Sequence, residues 1–345
     1  MKVAVVGASG YTGLELLRIL LRHPELEIAA VTSEQRAGRP VGEAFASLRG
    51  RLDLAFEAND PAALVGRVEL AFTALPHAAS APTVKALREG GMAVVDLSAD
   101  FRLRDLATYE TWYGAHPATE LFPEAVYGLP ELYREALAGA SLVAAPGCYP
   151  TGALLPLVPL LRQGLVETRG IHIDSKSGVS GAGRKASEDL LLAELDGNFK
   201  AYNAGYAHRH APEIEQEATA AAGEDVRVTF VPQLLPTTRG IATSVYARPR
   251  AGAAFAAARA ALEAAYESEP FVRVLPEGEL PTLQSVRGTN FCDVALVEDA
   301  HNDTWVLLST LDNLGKGASG QAVQCANAMR GWPETLGLLE TAPMP

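Results

Sequence analysis

Val3 to Val6 is an unbroken apolar run, the pattern of a strand buried on both faces. Gly7 to Gly13 interrupts it, after which Leu14, Leu16, Leu17, Leu20 and Leu21 recur at helical spacing. Thr12 and Glu15 stand at capping-box spacing and predict where that helix starts. A second strand follows at 28–31, then strands at 70–75, 92–95 and 142–145 with a helix at 78–88. Strands alternating with helices imply a parallel, doubly wound α/β sheet. Beyond residue 148 the strands lengthen, at 171–176, 226–231, 241–247, 294–297 and 305–310, and 253–266 is the clear helix among them. That pattern suits an α+β domain whose mixed or antiparallel sheet carries helices on one face. A last helical pattern, 318–330, stands alone and is free to pack back on the first domain.

Composition narrows the classes. The chain has 345 residues, 48% hydrophobic and 20% charged, enough for two domains with full cores. The longest apolar stretch, 153–161, is too short to cross a bilayer and contains two prolines, and no signal-peptide pattern opens the sequence. Three cysteines cannot make a disulfide framework, so a cytoplasmic location is expected. A formal charge of -12 speaks against broad nucleic-acid binding, so an anionic substrate would need a local basic cluster.

The residues from Gly7 to Gly13 spell G-x-x-G-x-x-G between a buried strand and a helix, the context in which backbone N–H groups meet a pyrophosphate. Gly7, Ser9, Gly10, Tyr11, Thr12 and Gly13 are the candidates. An NAD site places a carboxylate about 20 residues beyond the glycines. Here Ser33 stands in that region with Arg36 and Arg39 behind it, which favours the 2′-phosphate of NADP(H). Glu34 argues the other way if it turns inward, and the competing reading of the two arginines is as solvated loop charges.

Cys148 lies in Pro146-Gly147-Cys148-Tyr149-Pro150, after a strand, with Pro150 suited to a first helical turn. A helix N-terminus favours thiolate: a thiol of pKa about 8.5 is only ~3% ionised at pH 7, one near 6.5 about 75%. Pro156 and Pro159 imply that this helix is kinked, short or starts later. Cys292 and Cys325 read as small buried hydrophobes. His208 and His210 form the one close pair among seven histidines, either a base near neutral pKa or half of a metal site that lacks further ligands. His23, His116, His172 and His301 read as packing or surface residues, and His77 as a residue bordering the cofactor pocket. The run from Ser175 to Lys185 mixes glycines, hydroxyls and cations, so it either presents N–H groups and a guanidinium to an anion or is a plain connector. Arg102 and Arg239 are further anion-binding candidates.

In order and spacing these stretches resemble the N-acetyl-gamma-glutamyl-phosphate reductase family. The segments carrying the likeness are 7–13, 96–102, 146–151, 177–184, 208–214 and 312–318. The resemblance implies a Rossmann-type NADP-binding domain from 1–147 and 314–345, with a catalytic and subunit-contact domain, 148–313, inserted. It implies Cys148 as nucleophile, His210 as acid/base with His208 nearby, Asn313 near the nicotinamide, and Ser33 with Arg36 at the 2′-phosphate. Arg102, Ser180 and Arg184 are implied substrate contacts, and a homotetramer or homodimer the implied assembly. Gln233 and Thr237-Thr238 depart from the family's pattern around Arg239. No resident metal is expected, and the substrate is a small acyl phosphate that becomes an aldehyde. Two alternatives stay open: a lysine-pathway reductase acting on carrier-bound aminoadipyl phosphate, disfavoured by the net acidity, and a non-catalytic NADP-binding regulator, which would not need a poised thiolate.

Overall fold

The computed structural model describes residues 1–184 and 187–343. The chain divides into two compact units, Met1–Pro146 with Ala318–Leu339, and Gly147–Gly317 with the segment from Glu340 onward. The sequence-based boundaries differ in detail: Gly147 and the 314–317 turn lie in the second unit, as does the terminal segment.

In the first unit, strands β1 (Lys2–Val6), β2 (Glu27–Val31), β3 (Leu70–Thr73), β4 (Ala93–Asp96), β5 (Ala125–Tyr127) and β6 (Leu142–Ala144) form one sheet in the order β2-β1-β3-β4-β6-β5. Every pairing in it is parallel. Helices α1 (Tyr11–Leu20) and α2 (Ser80–Glu89) are crossovers of this sheet. Ala4, Val6, Ala71, Val84, Leu87, Val94 and Leu142 pack together in its core. The expected capping box does not form. The helix opens one residue before Thr12, with Gly10 as N-cap, and Glu15 instead pairs with Arg18 at 2.6 Å. A late helix (Gly320–Met329) returns to this unit and packs on α1. It is buried along its whole length, and within it Gln321 Nε2 donates to the Gly128 carbonyl at 2.7 Å.

In the second unit, strands β7 (Ile171–Gly178), β8 (Lys200–Ala201), β9 (Val228–Leu235), β10 (Ile241–Ala247), β11 (Val272–Val274), β12 (Cys292–Asp299) and β13 (Thr304–Leu311) form a mixed sheet, ordered β11-β12-β13-β10-β7-β9-β8. Alternation along β7 buries Ile171, Ile173 and Ser175 and turns His172, Asp174 and Lys176 outward, so one face carries the core. Against that face lies α3 (Cys148–Arg162), packed between the sheet and α4 (His210–Ala222).

The α3 helix is neither short nor late, although Pro156 and Pro159 lie inside it. A proline at position i removes the N–H that would bond the carbonyl at i−4. The carbonyls so freed belong to Gly152 and Leu155. Ser309 Oγ on β13 donates to the first at 2.6 Å, and the Tyr266 hydroxyl donates to the second. Tertiary donors replace the missing helical ones, which is why the helix continues.

Candidate active site

The glycine turn behaves as its sequence suggests. Gly7 takes φ +79°, and a Cβ there would meet Leu75 Cδ2 at 2.8 Å and the Ala74 carbonyl at 2.9 Å. A Cβ on Gly13 would strike the Ala8 carbonyl at 2.4 Å, so that glycine lets α1 press onto the turn. At Gly10, by contrast, a Cβ would meet nothing within 4 Å among the described residues. Gly10 is the N-cap of α1, has no capping side chain, and no acidic residue occupies the first turn. Open space beside a helix start whose N-cap brings no side chain is what a pyrophosphate requires, so the residues fit a dinucleotide. Ser33 is buried at the end of the β2 segment, and Arg36 is half-buried in the 3-10 turn behind it. Glu34 is exposed and accepts from the Asn59 backbone N–H at 3.3 Å.

In the second unit, Cys148 is the first residue of α3 and Gly147 its N-cap. First-turn N–H groups have no intrahelical acceptor, and Pro150 has no N–H to satisfy. Partial positive charge therefore gathers at the sulfur's position. Two glycines let other groups reach this residue. A Cβ on Gly147 would stand 2.6 Å from His210 Nε2, and one on Gly317 would stand 2.9 Å from the Cys148 Cβ. The imidazole of His210 thus occupies the space that a side chain before the thiol would fill. Glu213, one helical turn beyond His210, is buried, and its Oε1 accepts the Gly147 N–H at 2.8 Å. This carboxylate fastens the start of α4 to the start of α3.

His208 is differently employed. Its Nδ1 accepts the backbone N–H of His210 at 3.1 Å, which places its own proton on Nε2. Burial, reinforced by Arg209, pushes this imidazole down to about 4, so it is neutral at physiological pH. Tyr149 and Tyr202 share a hydroxyl–hydroxyl contact of 2.9 Å, and burial holds both phenols neutral, that of Tyr202 pushed up to about 12. With Phe230, these rings pack edge-on around the histidine pair.

Other expected site residues are bonded within their own units. Arg102 donates to the carbonyls of Ala145 at 2.7 Å and Leu97 at 2.9 Å, tying the ends of β4 and β6. Arg239 grips both oxygens of buried Asp312 rather than an external anion. Asn313 accepts from the Gly240 N–H at 2.7 Å and donates to Ser180 Oγ at 2.9 Å. The 178–180 stretch does not present its N–H groups to a ligand; they bond the carbonyls of Gly240, Thr237 and Thr238. Arg184 is exposed, and Lys185 lies outside the described residues. His77 is exposed, and its Nδ1 accepts from the Ala99 N–H. Cys292 and Cys325 are buried. Among the described residues, no group of three or more His, Cys, Asp or Glu is arranged to hold a metal ion.

Family models for the semialdehyde dehydrogenase NAD-binding domain and dimerisation domain match residues 2–140 and 148–313. The N-acetyl-gamma-glutamyl-phosphate reductase of Citrifermentans bemidjiense is 52% identical over 338 residues, 98% of each chain. That of Geobacter sulfurreducens is 51% identical over the full length of both. The chain belongs to the N-acetyl-gamma-glutamyl-phosphate reductase family. Solved structures carry the fold further afield. An aspartate semialdehyde dehydrogenase with NADP from Candida albicans gives a TM-score of 0.71 at 17% identity, covering 95% of this chain and 97% of its own. One from Vibrio cholerae gives 0.70 at 19%, covering 95% and 97%.

Sequence reasoning about this reductase family member missed Gly147, Gly317 and Glu213 as parts of the site. Glu213 was within reach: it stands three residues after His210, so a helix starting at His210 puts both on one face. The glycines were not, because what occupies their Cβ space comes from distant parts of the chain.

Proposed function

We propose that this chain reduces N-acetyl-gamma-glutamyl phosphate to N-acetylglutamate semialdehyde and phosphate with NADPH, through a thioester on Cys148. The observation that carries the reading is the His210 imidazole lodged against Gly147, beside a cysteine at an uncapped helix start. Gly7, Ser9, Gly10, Tyr11, Thr12 and Gly13 would hold the pyrophosphate, with Ser33 and Arg36 at the 2′-phosphate. Helix-start N–H groups favour the Cys148 thiolate, whose sulfur bonds the acyl carbon while the C–O bond to phosphate breaks and phosphate departs with the electron pair. NADPH, when bound, supplies the hydride that reduces the thioester carbonyl. Protonated His210 and the first-turn N–H groups stabilise the oxyanion, and the C–S bond then breaks to return the thiolate and release the aldehyde. His208 stays neutral and positions His210; Ser180 and Arg184 are proposed substrate contacts.

We also assign the protein to the cytoplasm and to a homodimer or homotetramer built on the open face of the mixed sheet, where Tyr246 and Val297 are exposed. No helix among the described residues is long and apolar enough to cross a membrane. The test runs the easier direction: oxidation of N-acetylglutamate semialdehyde should require both NADP and inorganic phosphate. Phosphate-independent oxidation would refute acyl-phosphate chemistry, and preference for the aminoadipyl substrate would move the enzyme to the lysine-type reading.

A further inference from the structure

In the order β2-β1-β3-β4, the chain leaves β1 toward one side of the sheet and β3 toward the other. Ligands of such sheets enter the crevice at the carboxyl ends of the two strands where direction reverses. The glycine turn forms one wall of that crevice, and residues 74–79, joining β3 to α2, form the other. Leu75 and the Ala74 carbonyl already fill the Cβ space of Gly7. Within this second wall Ala78 takes φ +63°, a left-handed conformation that an alanine rarely adopts unless something holds it.

What holds it is the turn after β4. Asp100 is fully buried, and its Oδ1 accepts the Ala78 N–H at 2.7 Å. Its Oδ2 accepts the N–H groups of Ser80 at 3.1 Å and Ala81 at 2.9 Å. Asp96 fastens both ends of the same loop, accepting from Thr73 Oγ1 at 2.6 Å and Ser80 Oγ at 2.7 Å. Capping α2 explains the bonds to Ser80 and Ala81. It does not explain the bond to Ala78, which lies outside the helix. Asp100 also neutralises the start of α2, leaving α1 as the open anion site of the crevice.

We propose that Asp100 is a positioning residue of the dinucleotide crevice, holding the 74–79 loop in the strained shape that receives the cofactor. The proposal rests on the NADPH reading above. The test titrates NADPH by its nicotinamide fluorescence against wild type, D100N, D100N/A78G and A78V. D100N should raise the NADPH Kd about tenfold while kcat and the alkylation rate of Cys148 stay within about threefold, a split that simple loss of stability does not produce. Glycine needs no holding at φ +63°, so D100N/A78G should recover at least about threefold of the lost affinity. A78V changes an exposed residue, leaves the buried carboxylate alone, and should itself weaken NADPH about tenfold, so it decides the matter if D100N does not fold. Wild-type NADPH affinity in A78V or in folded D100N overturns the proposal. Failure of the wild type to bind NADPH sinks the cofactor reading instead, and the two failures are distinguishable.

Discussion

Two helix starts in this molecule use one device for different chemistry. Gly10 caps α1 and Gly147 caps α3, each with an extended ψ and no side chain of its own to close the cap. They differ in what fills the space a Cβ would take: nothing within 4 Å at Gly10, and the His210 Nε2 at 2.6 Å for Gly147. A helix start left open has room for an anion that arrives from outside, which is the role proposed for Gly10. On the reading proposed above, the same start with a cysteine as its first residue and an imidazole against its cap makes its own anion and keeps a proton carrier beside it. The glycine is needed in both cases, once for the ligand and once for a neighbouring side chain.

The comparison breaks most sharply at the sulfur. C148S keeps the helix and its N–H groups but replaces an ionisable thiol by a hydroxyl, so turnover should fall by at least about 10³-fold. NADPH binding, followed by fluorescence, should be unchanged. Turnover within tenfold of wild type would end the thioester mechanism. Next come the two caps themselves. G147A forces the His210 ring aside, and a displacement of about 1 Å at a reacting group costs about 10²-fold in kcat. G10A meets nothing within 4 Å among the described residues, so it should leave kcat alone, cost about 1 kcal/mol or less as a poorer N-cap, and raise the NADPH KM about tenfold by intruding on the pyrophosphate. If both alanines acted on kcat alike, the distinction between an open and a filled cap would be wrong.

Much of this contrast could be read from the sequence, and the missing part has a common cause. The strand–glycine–helix signal at Gly7–Gly13, the helix start at Cys148 and the alternation of elements are local, and local patterns survive in a single chain. The capping box failed because Gly10 opens the helix before Thr12 can cap it. The two readings of the 178–180 N–H groups stayed open because their acceptors at 237–240 come from a distant part of the chain. Arg102 and Arg239 looked like free cations until the carbonyls and the carboxylate facing them were placed. Long-range partners decide whether a polar group is available, and no periodicity reveals them.

A smaller effect belongs to His208. The folded pKa of His208, about 4, lies below the ordinary 6.5. The unfolded chain therefore takes up a proton first as pH falls. The stability from the neutral imidazole is fully present above about 6.5 and is lost on descending to about 4, by at most ~3 kcal/mol. Urea midpoints between pH 7 and 4.5 should show this fall in the wild type. In H208N, where a side-chain oxygen can take over the role of Nδ1 toward His210 without titrating, the dependence should flatten. An identical slope in both would mean that another group titrates.

The smallest effect compares the bodies of the same helices. In α1 every residue can donate along the helix, and the Ser319 hydroxyl that also reaches the Thr12 carbonyl, at 2.9 Å, is a second donor to an acceptor with a helical N–H of its own. In α3 the Ser309 hydroxyl replaces the donor that Pro156 lacks. Both serines are buried, so truncation to alanine removes the same atom from similar surroundings. S309A strands a buried carbonyl and should cost about 1–3 kcal/mol in urea unfolding, whereas S319A should cost about 1 kcal/mol or less. The difference between them isolates what the proline takes from the helix. Equal losses would show that Gly152 finds another donor and that α3 tolerates its prolines for some different reason.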